Sequence, residues 1–157
     1  MHAITLRRAT PPDATTLNAA LRALSHSMGD VHRADDGQIA RALGGVFHAI
    51  LAEAGADLIG VAVFSPLFST TRGMAGAYVS DLWVAPQARG TGLGQRLLAT
   101  VRDEAASDWD AGFLRLGVYA DNRVARRFYA RLGFTEPANE HYLTLAGPGL
   151  AALKGAP

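Results

Sequence analysis

The chain has 157 residues, of which 49% are hydrophobic, and its 15 basic and 14 acidic residues give a formal net charge of +1. This composition excludes a disordered polypeptide, which needs low hydrophobicity, and it argues against nucleic acid as the main partner, which needs a basic excess. The absence of cysteine excludes disulfides, cysteine-ligated metals and thiol nucleophiles, and no run of about 18 apolar residues predicts a membrane span.

The first half of the chain predicts a strand, helices and a hairpin. Residues 1–8 lack a long apolar stretch, so we do not expect a secretory signal there. Thr10 is placed to cap a helix, because Pro11 suits a first turn and Asp13 stands three residues after the cap. The predicted elements are a strand at 4–7, a helix ending at about 24, a loop or weak helix at 25–33, a helix at 39–43, and a hairpin of strands at 46–52 and 57–64.

The second half predicts strands that alternate with helices. Its apolar positions 93, 97, 98, 101 and 105 have helical spacing, and Gly133 is placed to end a later helix in the left-handed conformation. The predicted elements are a loop at 66–76, a strand at 77–84, a helix from 93, a strand at 113–119, a helix after Asn122 and a strand at 141–145. Strands and helices in this order indicate an α/β or α+β fold around one mixed sheet.

A glycine-containing loop, residues 89–94 (RGTGLG), lies between the strand at 77–84 and the helix that follows. Such a turn directs unpaired backbone N–H groups and the positive end of a helix dipole at one point, which favours a phosphate or pyrophosphate. Glycines let the main chain approach the ligand closely, and Arg89 can add charge-assisted hydrogen bonds. The loop has neither the lysine of a nucleotide P-loop nor the glycine spacing of a dinucleotide-binding turn.

A second motif follows at residues 121–134 (DNRVARRFYARLGF). Together the two motifs resemble the GNAT superfamily of acyl-CoA-dependent N-acyltransferases, and the resemblance covers residues 60–134. The first family signature is matched by Arg89, Gly92 and Gly94. The second is matched by Asn122, Ala125, Phe128, Tyr129, Gly133 and Phe134.

The resemblance implies a single GNAT-type domain over residues 1–157. Its sheet would be central, mixed and mostly antiparallel, with six to seven strands, splayed fourth and fifth strands and about four flanking helices. It also implies acetyl-CoA as the acetyl donor and Tyr129 as the acid that protonates the leaving thiolate. The cofactor-binding residues implied by the resemblance and by the arginine excess of residues 86–131 are Leu82, Trp83, Val84, Arg89, Gly90, Thr91, Gly92, Leu93, Gly94, Asn122 and Arg126.

The residue that removes the amine proton is the open question in this sequence. Residues 64–84 resemble the diamine-acetyltransferase branch, but Ser80 stands where that branch has a glutamate. Asp81 is the nearest carboxylate and our candidate base, although strand alternation turns it to the sheet face opposite Ser80. It is alternatively a group that binds a cationic substrate or braces the strand. Further candidates are His26, Asp30, His32, Glu140 and His141.

These observations predict a cytoplasmic acetyltransferase for the primary amine of a polyamine, amino acid or similar small molecule. The amine would attack acetyl-CoA directly in a ternary complex. The alternatives are a non-catalytic acyl-CoA-binding regulatory module, motivated by Ser80, and an acetyltransferase of protein or peptide amines. We expect no nucleic-acid or membrane partner, no metal site, because no histidine–carboxylate group has ligand spacing, and a possible homodimer, which is frequent in the family.

Overall fold

The computed structural model describes residues 3–153 and residue 155, so residues 1 and 2 of the N-terminal segment, where no secretory signal is expected, lie outside it. The chain divides after Tyr119 into two compact units, 1–119 and 120–157. Within the described residues the first unit holds one five-stranded sheet with three α-helices, and the second holds two short α-helices. The mixed α/β architecture is confirmed, whereas the single domain over 1–157 stays a prediction.

The sheet has the strand order β1–β2–β3–β4–β5, with each neighbouring pair antiparallel except β4 and β5, which are parallel. This confirms a mixed and mostly antiparallel sheet. The described residues form five strands, whereas six to seven were predicted. Their bounds are β1 Ile4–Arg8, β2 His48–Ala54, β3 Asp57–Ser69, β4 Met74–Val84 and β5 Leu114–Leu116.

Helices pack on both faces of this sheet. On one face α1 and α2 bury Leu17, Leu21 and Ile39 against Val61 and Val63 of β3. On the other face, α3 brings Leu93 and Leu97 so close to Gly60 that an added Cβ there would lie 3.0–3.2 Å from their methyl groups. The helices are α1 Ala14–Ser27, α2 Asp36–Ala42, α3 Leu93–Trp109, α4 Arg123–Arg131 and α5 Gly147–Ala152. No helix among the described residues is long and apolar enough to cross a membrane.

The N-terminal cap and the apolar face of α3 follow the sequence prediction. The Thr10 N–H donates to Asp13 Oδ2 at 2.7 Å, and Pro11 begins a 3₁₀ turn that leads into α1. All five apolar positions predicted for α3 are buried. Both agreements arise from local rules, because a cap and a helical apolar stripe need no knowledge of distant strands.

Two predicted elements were wrong. Residues 66–76 were expected to form a long loop, but β3 continues to Ser69 and β4 starts at Met74, so that Pro66 pairs with Ala77. Beyond Phe64, β3 has no β2 residue beside it and is an edge, where a proline is tolerated. The strand expected at 141–145 is irregular backbone, because no described strand pairs with it and its Leu143 side chain is 94% exposed.

The fourth and fifth strands separate after a short contact. They pair only from Ala77↔Leu114 to Val79↔Leu116, while β4 continues to Val84. At the same point β4 has a bulge, because Val79 pairs with Phe64 and Asp81 with Val63, which leaves Ser80 without an opposite residue. The predicted splay therefore begins at Ser80, and the end of β4 is open on its β5 side.

Candidate active site

The loop at 89–94 forms a row of unpaired amides. Gly90 and Gly92 have φ of +75° and +81°, a conformation that side chains disfavour, and α3 begins directly afterwards at Leu93. The backbone N–H groups of residues 90–95 have no hydrogen-bond partner within the described part of the chain; the first intrahelical bond is from the Arg96 N–H to Gly92 O. Six successive donors at the start of a helix match the requirements of a pyrophosphate.

Arg89 and Thr91 hold this loop against the end of β4. The Arg89 Nε donates to the Val84 carbonyl at 3.1 Å, while the side chain remains exposed. The Thr91 hydroxyl donates to the Ala88 carbonyl at 2.7 Å. Leu93 is 1% exposed, so its side chain anchors the helix and only its N–H is available to a ligand. The structure thus brings Arg89 and Val84 together, as a site at the strand–loop junction requires.

The open edge of β4 presents main-chain groups of Leu82 and Val84. The Ala85 N–H donates to Ile59 O of β3 at 2.9 Å. Because alternate residues of an antiparallel strand turn their N–H and C=O groups to opposite sides, Trp83 also faces β3, and Leu82 and Val84 face away. The main-chain groups of Leu82 and the Val84 N–H therefore lie on the open edge, whereas the Val84 carbonyl there already accepts a hydrogen bond from Arg89 Nε. Trp83 packs its side chain against the α1–α2 cluster, and its cofactor contact stays a prediction.

Asp81 lies on the α1–α2 face of the sheet. Its partner Val63 belongs to the core cluster on that face, whereas Phe64, the partner of Val79, contacts Trp109 of α3 on the other face. Burial raises the pKa of the Asp81 carboxyl, and the Ser80 hydrogen bond and the charge of His32 oppose that rise. A carboxyl in this setting is a stronger base than an exposed one.

A buried polar group on α1 was missed by the sequence analysis. Asn18 is 0% exposed and bonds His32, Ala34 and Asp36. Its signal in the sequence is a polar residue beside Leu17 and Leu21 on the apolar face of the predicted helix. The loop between α1 and α2 also contacts the segment after β5, because the Tyr119 hydroxyl donates to Asp30 Oδ2 at 2.8 Å.

In the second unit, Asn122 caps α4 through its side chain, which accepts the Ala125 N–H at 3.1 Å. Arg126 binds the Ala120 carbonyl at 3.0 Å and Glu136 Oε2 at 2.9 Å, so its guanidinium is already engaged. Gly133 has φ of +92°, which confirms the left-handed helix end.

Tyr129 packs against Phe128 and Phe134, with ring centroids 5.2 and 5.5 Å away. Burial raises the pKa of its phenol above the ordinary value. Its hydroxyl makes no hydrogen bond among the described residues, so it remains available as a donor. The roles of Asn122, Arg126 and Tyr129 in a reaction stay predictions.

Comparison with known proteins identifies the family. Residues 16–134 match the profile described as the Acetyltransferase (GNAT) family. The chain is 34% identical over 87 residues to an uncharacterized N-acetyltransferase, YhfO, of Bacillus subtilis, covering 55% of the chain but only 58% of that protein. It is 29% identical over 120 residues to thialysine N-epsilon-acetyltransferase of Sus scrofa, covering 69% of each.

Among solved structures, an integron cassette protein from the mobile metagenome of V. cholerae superposes with a TM-score of 0.77 at 21% identity, covering 96% of this chain and 97% of the other. At that identity the likeness shows the fold alone. The profile covers well over half of the chain and includes both motifs. The chain therefore belongs to the acetyltransferase (GNAT) family of acyltransferases, as its two motifs predict.

Proposed function

We propose that this protein transfers an acetyl group from acetyl-CoA to the primary amine of a small molecule, in a ternary complex and in the cytoplasm. The observation that carries the proposal is the row of six unpaired amides at 90–95, next to the open edge of β4. The amides suit the pyrophosphate of CoA, and the edge suits the amide-containing arm that follows it. The two features therefore fit two successive parts of one donor molecule.

The donor side of the reaction uses main-chain groups. Leu82 and Val84 would pair with the pantetheine arm, and an N–H from this edge would polarise the thioester carbonyl. Pre-aimed donors of this kind contribute about 3 kcal/mol each to stabilising an oxyanion. Arg89 would add charge to the pyrophosphate end, since its guanidinium has only one of its donors engaged with Val84.

Acetyl transfer also needs an acid for the leaving group. The amine nitrogen bonds to the acetyl carbon, the carbon–sulfur bond breaks, and the sulfur takes a proton. We assign this proton to Tyr129, the tyrosine of the second motif. A phenol with a pKa near 10 protonates a thiolate whose acid has a pKa near 8.5 against a gradient of about 2 kcal/mol. The raised pKa of Tyr129 widens that gap, so the hydroxyl has to act by placement.

The acceptor must lose a proton before it attacks. An alkyl ammonium with a pKa near 10.4 is neutral in only about one molecule in 2,500 at pH 7, which corresponds to about 4.6 kcal/mol. Asp81 is our candidate base, because it is the carboxylate next to the opening of β4 and its burial strengthens it as a base. The Sus scrofa relative is named for thialysine acetylation, so thialysine, lysine and diamines are the first acceptors to test. A homodimer is part of this proposal.

The test is free-thiol release from acetyl-CoA with a panel of amines. We expect release with one amine class, and in Tyr129→Phe a fall in kcat of at least about tenfold with unchanged acetyl-CoA affinity, because a general acid typically contributes about 100-fold or more. Tyr142→Phe is the matched control, because Tyr142 lies in the same unit and is 74% exposed. Tight acetyl-CoA binding without release on any amine would favour the regulatory module, and release only with peptides would favour a protein acceptor.

A further inference from the structure

Two arginines lie against one aromatic ring at the start of β5. The guanidinium carbon of Arg72 lies 5.2 Å from the centroid of the Phe113 ring, and that of Arg115 lies 5.4 Å from the same centroid. Arg72 is exposed in the turn between β3 and β4, while Arg115 is half-buried within β5. Neither guanidinium forms a salt bridge or a hydrogen bond with another described residue. No carboxylate of the described chain therefore balances these two charges.

An anion is the ligand that such a pair attracts. The aromatic ring holds each cation in place by its quadrupole, but it does not neutralise the charge. A guanidinium presents its N–H donors in a planar fork that matches the two oxygens of a carboxylate. Two guanidiniums at one ring therefore offer a carboxylate both hydrogen-bond donors and positive charge.

This pair is separate from the pyrophosphate loop. The amides at 90–95 come after Val84, the last residue of β4, whereas the Phe113 ring packs on Gly76 near the other end of that strand. The two ends are roughly 25 Å apart at 3.3 Å per residue. A donor that runs from the loop along the open edge of β4 would end with its thioester at the opening beside Ser80. An anionic group bound at the arginine pair therefore belongs to the acceptor.

Arg115 and the proposed base, Asp81, lie on the same face of the sheet. Val79 faces α3, because its partner Phe64 contacts a tryptophan of that helix. Its neighbour Tyr78 therefore faces the other side, where α1 and α2 pack. Arg115 pairs with Tyr78 in the parallel ladder and shares that face. The bulge turns Asp81 to the same face, beside the α1–α2 core.

The spacing of the two groups sets the length of a ligand that reaches both. From Tyr78 to Asp81 the strand advances at most about 10 Å, and β5 lies about 5 Å to the side of β4. The Arg115 guanidinium lies against Phe113, towards the start of β5 and away from Asp81. The guanidinium and the Asp81 carboxylate are therefore roughly 10–15 Å apart. A carboxylate and an amine joined by the four-carbon stem of lysine span such a gap, once hydrogen bonds of about 3 Å are added at both ends.

We propose that Arg115, with Arg72 beside it, binds the carboxylate of an amino-acid acceptor whose distal amine is presented to Asp81. The proposal rests on the acetyltransferase function proposed above. It narrows the acceptor from any small primary amine to an amine that carries a carboxylate several bonds away. The reacting amine is then the side-chain amine, because the α-amine stays beside the carboxylate at the arginines.

Lysine and cadaverine are the acceptors that test this proposal, because cadaverine is lysine without its carboxylate. We expect the wild type to acetylate lysine with the lower KM. Arg115→Met keeps an unbranched side chain against Phe113 but has no charge. It should raise the KM for lysine about 10- to 100-fold, as for a lost charge-assisted hydrogen bond, and leave kcat unchanged. Its KM for cadaverine should not rise, and turnover of cadaverine shows that the variant is folded.

Arg102→Met is the control variant. Arg102 is an exposed arginine of α3, which packs on the other face of the sheet, and it is paired with Asp103. Its loss should change neither KM. Equal kcat/KM of the wild type for lysine and cadaverine overturns the carboxylate site, and so does an equal loss on both acceptors in Arg115→Met.

A second readout does not depend on turnover. Calorimetry in the presence of CoA measures the Kd of lysine and of cadaverine in the wild type and in Arg115→Met. Lysine binding that weakens at least about tenfold in the variant supports the site, even where the wild type releases thiol with no amine. That combination overturns the proposed function alone. Lysine binding that is absent from the wild type, or unchanged in Arg115→Met, overturns the site, so the two failures are distinguishable.

Discussion

Replacing Gly92 by alanine separates the proposed ligand-binding role of the loop from its structural role. Gly92 has φ of +81°, and a Cβ added there meets no atom within 4 Å. The folding penalty is therefore backbone strain alone, about 1–2 kcal/mol for a non-glycine residue in the left-handed region. Part of it is offset by the reduced freedom of the unfolded chain. A net loss of about 1 kcal/mol corresponds to a fall in Tm of about 2–4 °C for a chain of this size.

The effect on the ligand should be larger than the effect on stability. The added methyl group projects into open space at the start of α3, beside the amides that would surround the pyrophosphate. Displacing one charge-assisted hydrogen bond loses about 1.5–3 kcal/mol. The Kd for CoA should therefore rise by about 10- to 100-fold. Isothermal titration calorimetry with CoA measures this change, and pantetheine, which has no pyrophosphate, should bind the variant and the wild type alike.

Gly73→Ala is the matched control. Gly73 turns the β3–β4 hairpin with φ of +66°, and a Cβ added there likewise meets no atom within 4 Å. It should lose the same stability as the Gly92 variant and keep the wild-type affinity for CoA. Equal CoA affinity in the two variants, at equal Tm, would refute the assignment of the pyrophosphate to this loop.

Two further changes test the frame that positions the site. The Arg7 guanidinium holds the pKa of Asp13 well below its usual range. Asp13→Asn should therefore lose about 1 kcal/mol in urea unfolding at pH 7, a modest value because the pair is partly exposed. The difference should shrink as the pH falls below about 4, where the unfolded aspartate is protonated but the folded one is not; a constant difference would contradict the linkage. Gly76→Ala would put a Cβ 2.6 Å from the Phe113 ring and should destabilise by about 1–3 kcal/mol in thermal unfolding. Gly117→Ala is the control, because a Cβ added there lies 3.6 Å from its nearest atom and should change stability far less. If Gly76→Ala lost as little stability as Gly117→Ala, the Phe113 ring would have to move aside, and the expected clash would be refuted.

The sequence predicted what depends on neighbouring residues in the chain. The Thr10 cap, the buried face of α3 and the left-handed Gly133 all follow from spacing and from glycine chemistry. The strand at residues 66–69 was missed, because Pro66 and the polar residues after it suggest a loop. This part of β3 accepts proline because it is an edge: β2 begins at His48, which pairs with Phe64, so no β2 residue lies beside Pro66. That arrangement depends on a strand distant in the sequence.

The polar interior of the α1–α2 region could not be read in the same way. Asn18 stands among apolar residues on α1, but its three partners lie 14 to 18 positions away in the chain. Their meeting depends on the path of the inter-helix loop, which composition does not fix. The sequence therefore proposed His32 as one of several possible bases, and only the hydrogen bonds to both ring nitrogens distinguish it.

The bulge at Ser80 connects the open edge of β4 with the placement of Asp81, the proposed base. Without an extra residue, strand alternation would put Asp81 on the face of Val79, towards α3. The bulge turns Asp81 to the face of Val63, where α1 and α2 pack. The bulge itself directly follows Val79, the last residue of β4 that pairs with β5. The glutamate of the diamine-acetyltransferase pattern would stand at the exposed bulge itself. In this chain the bulge holds a serine that bonds Asp81, so the carboxylate nearest the opening of β4 lies one residue later, on the buried side of the sheet.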